Sequence, residues 1–568
     1  MTTPTSAAAA AALDAGTTGS PRYYVSRTKL ALIALFSFTI LTSAVGPTRS
    51  LTHHEVMFAQ PAKEMLATGD FALPRFSEIP CTHKPPGTNW MIAGAMAITG
   101  SQAEWIVRLP TAMAGAVAAV LVAMLAARWF GSLIGVVAGL MHATVYYVLQ
   151  FGRLAEADMP LVASVTATML VFAMATVDSP RGRFERRWTP WLFYACLGLA
   201  FQFKGLIGPI FVMGGCGLYA VITRDRAAWR ILLNPIGIGI FALCSAGWLA
   251  VVCITHPAFF ADQIMEHFGR FRGELDGRKD PFYYFYQISL ILLPWTPFCL
   301  AGLVWALRKR ELPAQLRAFV VCWIVPGLIV LSLSHFKSKH YPAPLMPPLL
   351  MIGAAAMVGF YRYRQTRSVA AHLFAAGAGV VGAVIAIAAL SAAQPGGSVT
   401  MTPLVGAMLA PHLAMVAFEF RQNLTAELAT LFGGAWVIII VALGLVTKYH
   451  DSYRDPTLLA AQANQIVPAD ETLYVVDLLE NQITYYLDRP VVRIDDQDEF
   501  ATRAETAPTE LFILGPENLE STLASLGQIE TLERCASLRR YQTPDERLTL
   551  FRFEPEQLRT AGQQRDVQ

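Results

Sequence analysis

The chain is poor in charged residues. Only 15% of its 568 residues are Asp, Glu, Lys or Arg, and 54% are hydrophobic. Soluble domains carry roughly 25% charged residues, so the composition excludes an ordinary soluble protein. No stripe of Lys and Arg interleaved with aromatic residues is present, which argues against nucleic-acid binding. The eight cysteines form no CxxC pair, so neither a redox motif nor a zinc ribbon is indicated.

Long apolar runs are abundant instead. The first follows Arg22, Arg27 and Lys29 and is longer than a signal-peptide core of roughly 7–15 residues, so we interpret it as a retained helix. Together the runs predict an α-helical polytopic membrane protein with about thirteen transmembrane helices, each near the roughly 20 residues that cross a bilayer. The predicted spans are 29–47, 105–127, 131–149, 158–177, 190–203, 205–223, 234–255, 285–306, 316–334, 343–361, 368–393, 400–418 and 427–447.

Arg and Lys cluster in alternate short loops, which are 181–187, 224–230, 308–310 and 362–367. By the positive-inside rule these loops and the N-terminus are cytoplasmic. The segments that then face outward are 48–104, 150–157, 256–284, 335–342 and the tail from 448.

Three parts are predicted on this basis. Residues 1–28 form a disordered cytoplasmic N-terminus and 29–447 a transmembrane domain. The tail, 448–568, mixes the strand-like runs "TLYVVDLL", "PVVRI", "ELFILG" and "RLTLFRF" with a helix-like "NQITYYLD". It is predicted to be a small periplasmic α/β accessory domain, within the usual domain size.

The first outer segment begins with "LTHHEVMFAQPAKEMLATGD", residues 51 to 70. Its Val56, Phe58, Met65 and Leu66 fall on one helical face, which predicts an amphipathic helix lying on the membrane. Glu55 directly follows the first span.

Many of the chain's ionisable groups converge on the outward face. A single Lys or Arg at a helix end commonly snorkels to lipid headgroups, and Asp158 would also suit an N-cap before Pro160. Ionisable groups near the bilayer are costly, however, so their convergence indicates a functional site. Basic side chains would hold the phosphate of a lipid-linked substrate and offset the charge it gains as a leaving group. A carboxylate would take a proton from an acceptor hydroxyl.

The motifs of these segments resemble a known superfamily. They are "HHEVMFAQPAKEMLATGD", "HKPPG", "GRLAEADMPL", "FKGLIGP", "EHFGRF" and "KSKHYPAPLMP". In this order they are similar to the glycosyltransferase C superfamily, which takes sugars from polyprenyl phosphates. The resemblance is greatest to the group containing the lipid A aminoarabinose transferase and the protein O-mannosyltransferases, and it covers most of residues 30–350.

The resemblance implies a role for each matching residue. It makes Glu55 and Asp158 the catalytic acids. It places a further set at the donor phosphate, namely Lys84, Lys204, Arg270, Lys337, Lys339 and Tyr341. Supporting residues would be His54, Arg153, Glu156 and His267.

Three positions depart from the superfamily pattern. His54 replaces the usual first acid, His83 stands where an acid is frequent, and Gly87 replaces a common Leu. No cofactor is required, but His54, Glu55 and His83 form a candidate site for a divalent metal, Zn, Mg or Mn.

These observations predict an inverting glycosyltransferase of the bacterial inner membrane, working as a monomer among membrane lipids. It would move a sugar from polyprenyl (undecaprenyl) phosphate to lipid A, another glycolipid or a protein at the periplasmic face. A flippase of polyprenyl-linked sugars explains the spans and the basic rim equally well, although no internal repeat typical of transporters is clear. A membrane-anchored binding protein acting through its tail would leave the outer ionisable residues unexplained.

Overall fold

The computed structural model describes residues 23–43, 50–77, 79–81, 84–255, 257, 280, 282–308, 312–334, 337–364, 424–451, 457–476, 481–494, 510–517, 519–525, 527–534 and 548–555. The chain divides into two compact units. The first, here the helical unit, takes described residues of Met1–Ser43, Thr82–Met91 and Arg108–Leu443. The second, here the mixed unit, takes those of Ala44–Cys81, Ile92–Val107 and Gly444–Gln568.

The described part of the chain is mostly helical. Its α-helices are α1 (Arg27–Thr42), α2 (His53–Thr68), α3 (Gly87–Thr99), α4 (Glu104–Phe130), α5 (Ser132–Thr144), α6 (Tyr146–Phe151), α7 (Asp158–Thr176), α8 (Thr189–Lys204), α9 (Ile207–Thr223), α10 (Arg226–Leu232), α11 (Pro235–Thr255), α12 (Tyr283–Ile291), α13 (Thr296–Arg308), α14 (Ala314–Leu333), α15 (Met346–Arg364), α16 (Leu424–Asp451), α17 (Thr457–Ile466) and α18 (Leu519–Ala524). The strands are β1 (Arg75–Phe76), β2 (Ile79–Pro80), β3 (Leu473–Val476), β4 (Val491–Ile494), β5 (Leu511–Pro516), β6 (Gly527–Arg534) and β7 (Leu548–Pro555).

Five helices among the described residues are long and apolar enough to cross a membrane. They are α4, α7, α11, α14 and the stretch Ala343–Arg362, and α12 with α13 makes a sixth if the pair is one bent span. The predicted spans 368–393 and 400–418 lie outside the described residues. The total of about thirteen stays a prediction, based on the roughly 20-residue length of a span.

Helix α7 lies at the centre of the helical unit. Almost every one of its residues is buried, and it packs against α8, α9 and α10. Its hydroxyl groups are satisfied within the helix, since Ser164 donates to the carbonyl oxygen of Pro160 at 2.6 Å and Thr166 to that of Val162 at 2.6 Å. Such back-bonding leaves the helix wall without unsatisfied polar groups. What α7 presents at its start is the carboxylate of Asp158.

Two predicted spans are broken in the structure. The predicted span 285–306 is divided into α12 and α13, which meet at 118°. Pro294 lies in the break, and it lacks the amide hydrogen that a continuous helix needs. The predicted span 131–149 is divided at Val145, whose backbone is extended with ψ 144°. The two corners meet, because the amide of Tyr146 donates to the carbonyl oxygen of Leu293 at 2.7 Å.

The mixed unit contains a five-stranded sheet in the order β4-β3-β5-β7-β6. Strands β4, β3 and β5 are parallel, while β7 pairs antiparallel with both β5 and β6. All six residues of β5 are buried. Phe512 and Leu514 pack with residues of α17, and Leu511 and Ile513 pack with residues of α18. Both faces of the sheet are therefore covered, as a mixed sheet with an all-apolar central strand requires.

Strands occur at the predicted runs "TLYVV", "PVVRI", "ELFILG" and "RLTLFRF", whereas the predicted helix "NQITYYLD" is a 3-10 helix over Asn481–Tyr486. The compact unit holding this sheet also includes α2 and residues 92–107. The division of the chain at residue 448 stays a prediction.

The amphipathic helix of the first outer segment is present, but its apolar face is not left for lipid. Val56, Phe58 and Met65 are each at most 5% exposed, and only Leu66 is half-buried. Helix α2 packs against β1 and against the 3-10 helix Asn481–Tyr486. Two side-chain contacts join it to that 3-10 helix, since Lys63 donates to the carbonyl oxygen of Tyr485 at 3.2 Å and lies over the Tyr485 ring. The prediction of a helix lying on the membrane through this face is wrong, because protein already covers it.

Candidate active site

Asp158 and Lys204 form a buried ion pair in the helical unit. Asp158 is the first residue of α7 and Lys204 the last of α8, and the two helices pack together. The Lys204 ammonium lies 2.7 Å from Oδ1 of Asp158, with the side chains 12% and 5% exposed. A cation at the C-terminus of α8 also complements the helix dipole. Removed from water, each charge depends on the other.

Tyr147 holds the same carboxylate from a third helix. Its hydroxyl donates to Oδ1 of Asp158 at 3.1 Å and lies 3.4 Å from the carbonyl oxygen of His340. The side chain is fully buried. Oδ1 is therefore engaged twice, whereas Oδ2 accepts no hydrogen bond from the described residues. Oδ2 is the oxygen that remains for a substrate.

The "KSKHY" segment, residues 337–341, lies beside this cluster. The Tyr341 ring centroid is 5.5 Å from the Lys204 ammonium, and the Lys339 ammonium is 5.4 Å from the centroid of Phe151 on α6. The His340 ring contacts both Phe151 and Tyr341. Lys204 and Lys339 thus each lie over an aromatic ring, and the Phe151 ring contacts the ring of Tyr147, which holds Asp158. Cations beside aromatic rings suit a phosphate with an apolar tail.

The "KPPG" turn, which carries Lys84, packs its backbone closely against the backbone at the end of α8. Pro85 and Pro86 are buried, while Lys84 is exposed. At Gly87 a Cβ atom would lie 2.6 Å from the carbonyl oxygen of Gln202, so only glycine fits against the last turn of α8. The charge of Lys84 acts on Asp158, together with those of Lys204 and His340. The "KPPG" turn therefore adds a cation to the same site.

Three other predicted site residues of the helical unit are buried, and two of them donate hydrogen bonds to backbone carbonyl oxygens. Arg153 is 4% exposed and donates to the carbonyl oxygen of Ser43 at 2.6 Å, which ties the loop before α7 to the end of α1. Glu156 is 8% exposed in that loop. Lys337 is 4% exposed and donates to the carbonyl oxygen of Ser334. Burial lowers the pKa of Lys337, and the negative charge of Asp280 opposes that shift.

Glu55 belongs to the mixed unit and forms part of a helix cap. Its Oε2 accepts from the amide of Thr52 at 2.9 Å, while its own amide donates to the Thr52 hydroxyl at 3.4 Å. This reciprocal pair is a capping box, which the sequence "THHE" encodes. Glu55 is fully buried, and the neighbouring His53 and His54 rings meet edge to face at 5.5 Å.

Three predicted site residues, His83, His267 and Arg270, lie outside the described residues. His83, one of the three predicted ligands of the metal site with His54 and Glu55, is therefore among the residues that the structure does not describe. Among the described residues, no group of three His, Cys, Asp or Glu side chains is placed to hold a metal ion.

Comparison with known proteins agrees with the motifs. Residues 83–250, which include Lys84, Asp158 and Lys204, match the family model described as dolichyl-phosphate-mannose-protein mannosyltransferase. The chain is 27% identical over 334 residues to the undecaprenyl phosphate-alpha-4-amino-4-deoxy-L-arabinose arabinosyl transferase 2 of Proteus mirabilis. That match covers 57% of this chain and 59% of the relative, so it spans less than two thirds of the relative's length.

Solved structures show the same architecture. The structure of ArnT from Cupriavidus metallidurans bound to undecaprenyl phosphate aligns over 92% of this chain and 97% of that one, with a TM-score of 0.70 and 20% identity. The oligosaccharyltransferase AglB from Archaeoglobus fulgidus, in complex with an inhibitory peptide and a dolichol-phosphate, aligns over 88% of this chain and 72% of that one, with a TM-score of 0.50 and 12% identity. By sequence and fold, this chain is therefore similar to glycosyltransferases that use polyprenyl phosphate sugars.

Within this fold, the structure brings together the predicted residues Asp158, Lys204 and Tyr341. Lys339 lies over the nearby Phe151 ring, and the charge of Lys84 acts on Asp158. Tyr147 is a residue of the site that was not predicted from the sequence. Its run "VYYVLQF" looks like part of a span, and only the helix break at Val145 turns this tyrosine toward Asp158. The useful signal was the pair of tyrosines in an apolar run, because a buried tyrosine hydroxyl needs a partner.

Proposed function

We propose that the chain is an inverting glycosyltransferase that uses a polyprenyl phosphate sugar as its donor. The observation that carries the proposal is the buried Asp158–Lys204 pair, surrounded by Tyr147, Lys339 and Tyr341. A cluster of cations beside an oriented carboxylate suits transfer from a phosphate leaving group. The names of the relatives support undecaprenyl phosphate 4-amino-4-deoxy-L-arabinose as the donor.

The roles of the residues follow from the chemistry of the step. The acceptor oxygen attacks the anomeric carbon from the face opposite the phosphate, and the carbon–phosphate-oxygen bond breaks. The phosphate gains negative charge as it leaves, which the ammonium groups of Lys84, Lys204 and Lys339 offset. Asp158 presents Oδ2 to orient the acceptor hydroxyl or take its proton. If the acceptor is already an ionised phosphate, no base is needed and Asp158 only orients it.

We further propose that the site faces the periplasm of a bacterial inner membrane. The acceptor would be lipid A, another glycolipid or a protein. The basic loops support this orientation, because the positive-inside rule favours them on the cytoplasmic side and the start of α7 would then face outward.

The test is a gene deletion complemented with wild type, Asp158→Asn or Asp178→Asn. Asp178 is the matched control, since the same substitution is made on a side chain that is 65% exposed. The masses of lipid A, other glycolipids and envelope proteins are measured. We expect one sugar-sized mass to disappear in the deletion, and product to fall by about a hundredfold or more with Asp158→Asn. Full product with Asp158→Asn would overturn the mechanism, and a polyprenyl-linked sugar stranded inside the cell would indicate a flippase instead.

A further inference from the structure

The helical unit has an apolar groove that lies away from the candidate active site. It is a groove of about 510 Å³ between α1, α5 and α16. Its lining is apolar apart from Lys29 and a few hydroxyl and indole groups, and it includes Leu32, Phe36, Val136, Leu140 and Trp436. Leu32 is 59% exposed, so the groove opens outward from the helices.

The groove has two distinct ends along α1. Lys29 lies at one end, where its ammonium is 3.4 Å from the Ser132 hydroxyl. Thr39 lies at the other, where its hydroxyl accepts from the indole nitrogen of Trp436 at 2.9 Å. Ten helical residues separate the two, or roughly 15 Å at 1.5 Å per residue, about half of a 30 Å hydrocarbon core. The length therefore matches one leaflet.

The Lys29 end lies opposite the Asp158 site. At the far end of α1, the Leu41 side chain fills the space beside Gly115 and Gly152, and the Ser43 carbonyl oxygen accepts from Arg153. Those contacts put the C-terminus of α1 beside the start of α7. The Lys29 end carries further positive charge, because the Arg181 guanidinium lies 5.5 Å from the Tyr24 ring centroid.

We propose that this groove binds one acyl chain of an anionic phospholipid, with the headgroup phosphate at Lys29. An ammonium at the mouth of an apolar groove one leaflet deep complements a lipid that carries a negative headgroup. Residues 365–423, between α15 and α16, are an alternative cover, and Glu419 is the one acid in their sequence. The retention experiment below decides between that carboxylate and a lipid phosphate as the partner of Lys29.

Native mass spectrometry tests the proposal. The full-length protein is reconstituted in phosphatidylcholine with a minor fraction of phosphatidylglycerol, extracted in mild detergent, and weighed with its retained lipid. The variants are Lys29→Gln, Lys29→Arg and Leu32→Trp. Leu243→Trp is the matched control, because Leu243 is 76% exposed on α11, away from the groove.

We expect wild type to retain one phosphatidylglycerol in preference to phosphatidylcholine. Lys29→Gln removes a charge-assisted hydrogen bond and should lower that occupancy about tenfold, while Lys29→Arg keeps it. Leu32→Trp should displace the lipid, and Leu243→Trp should not. Equal retention of the two lipids, or unchanged occupancy in Lys29→Gln, would overturn the proposal. So would retention of no lipid by wild type, which would leave the groove to the chain's own residues 365–423.

Discussion

Asp158 and Glu55 are both buried carboxylates at helix starts, one in each compact unit, and they are held by different means. Asp158 is held by side chains from two other helices, Tyr147 on α6, 11 residues away, and Lys204 on α8, 46 residues away. Glu55 is held by the backbone of its own first turn. One acid therefore depends on tertiary packing and a neighbouring charge, the other on a local motif of four residues. The same substitution should have different consequences at the two positions.

The largest effect is expected from Lys204→Met. This change leaves the Asp158 carboxylate buried without its cation, and removing one partner of a buried pair typically costs about 3–5 kcal/mol. We expect a large fall in melting temperature of the detergent-solubilised protein, together with loss of transfer. The double variant with Asp158→Asn should recover part of the stability but none of the activity. An unchanged melting temperature in Lys204→Met would show that the pair is not structural.

Glu55→Ala should have a smaller effect on stability. Losing half of a capping box costs on the order of 1 kcal/mol. Glu55→Gln is the matched control, because glutamine also satisfies the capping box while removing the negative charge. Hydrogen exchange over residues 52–68 should rise in the alanine variant alone. If transfer is lost in Glu55→Gln with exchange unchanged, the charge of Glu55 acts in the reaction and is not merely a cap.

Tyr147→Phe should show how much the hydrogen bond that positions the Asp158 carboxylate contributes to activity, apart from the ion pair with Lys204. The substitution removes one hydrogen bond to Oδ1 and keeps the Lys204 pair, so we expect kcat/KM to fall roughly fivefold, equivalent to about 1 kcal/mol. Tyr146→Phe on the same helix is the control, since Tyr146 is 48% exposed. Equal activities of the two variants would remove Tyr147 from the site.

The smallest effect concerns the buried face of α2. Burial lowers the pKa of Lys63, and the charges of Asp488 and Glu64 oppose that shift. The unfolded chain then binds more protons than the folded one between the lowered value and the ordinary 10.5. The free energy of unfolding should therefore rise with pH across that window. Lys63→Met should show a flatter pH dependence of the melting temperature, and identical curves would mean that Lys63 is not buried against the 3-10 helix.

The sequence was sufficient for features that depend on local pattern. Apolar length predicted α4, α7 and α14, and the strand-like runs predicted the positions of β3, β4, β5 and β7. It also placed Asp158 and Lys204 at helix ends. It could not predict that they pair, because 46 residues separate them and nothing in the pattern fixes which helices adjoin.

Two features depended on long-range contacts and were missed. The break at Val145 lies beside the Leu293 corner, which is far away in the chain and accepts a hydrogen bond from the Tyr146 amide. Likewise, the apolar face of α2 is the same pattern whether lipid or protein covers it. In this chain β1 and the 3-10 helix Asn481–Tyr486 pack against α2, and the sequence pattern of α2 does not show this.

The lack of a side chain at Gly87 determines how closely the lysine turn approaches α8. A methyl group there would meet the carbonyl oxygen of Gln202 at 2.6 Å, and leucine is much larger. A chain with leucine at this position must hold the lysine turn farther from the end of α8. The close approach of the lysine turn to the end of α8 in this chain therefore depends on the missing side chain of Gly87.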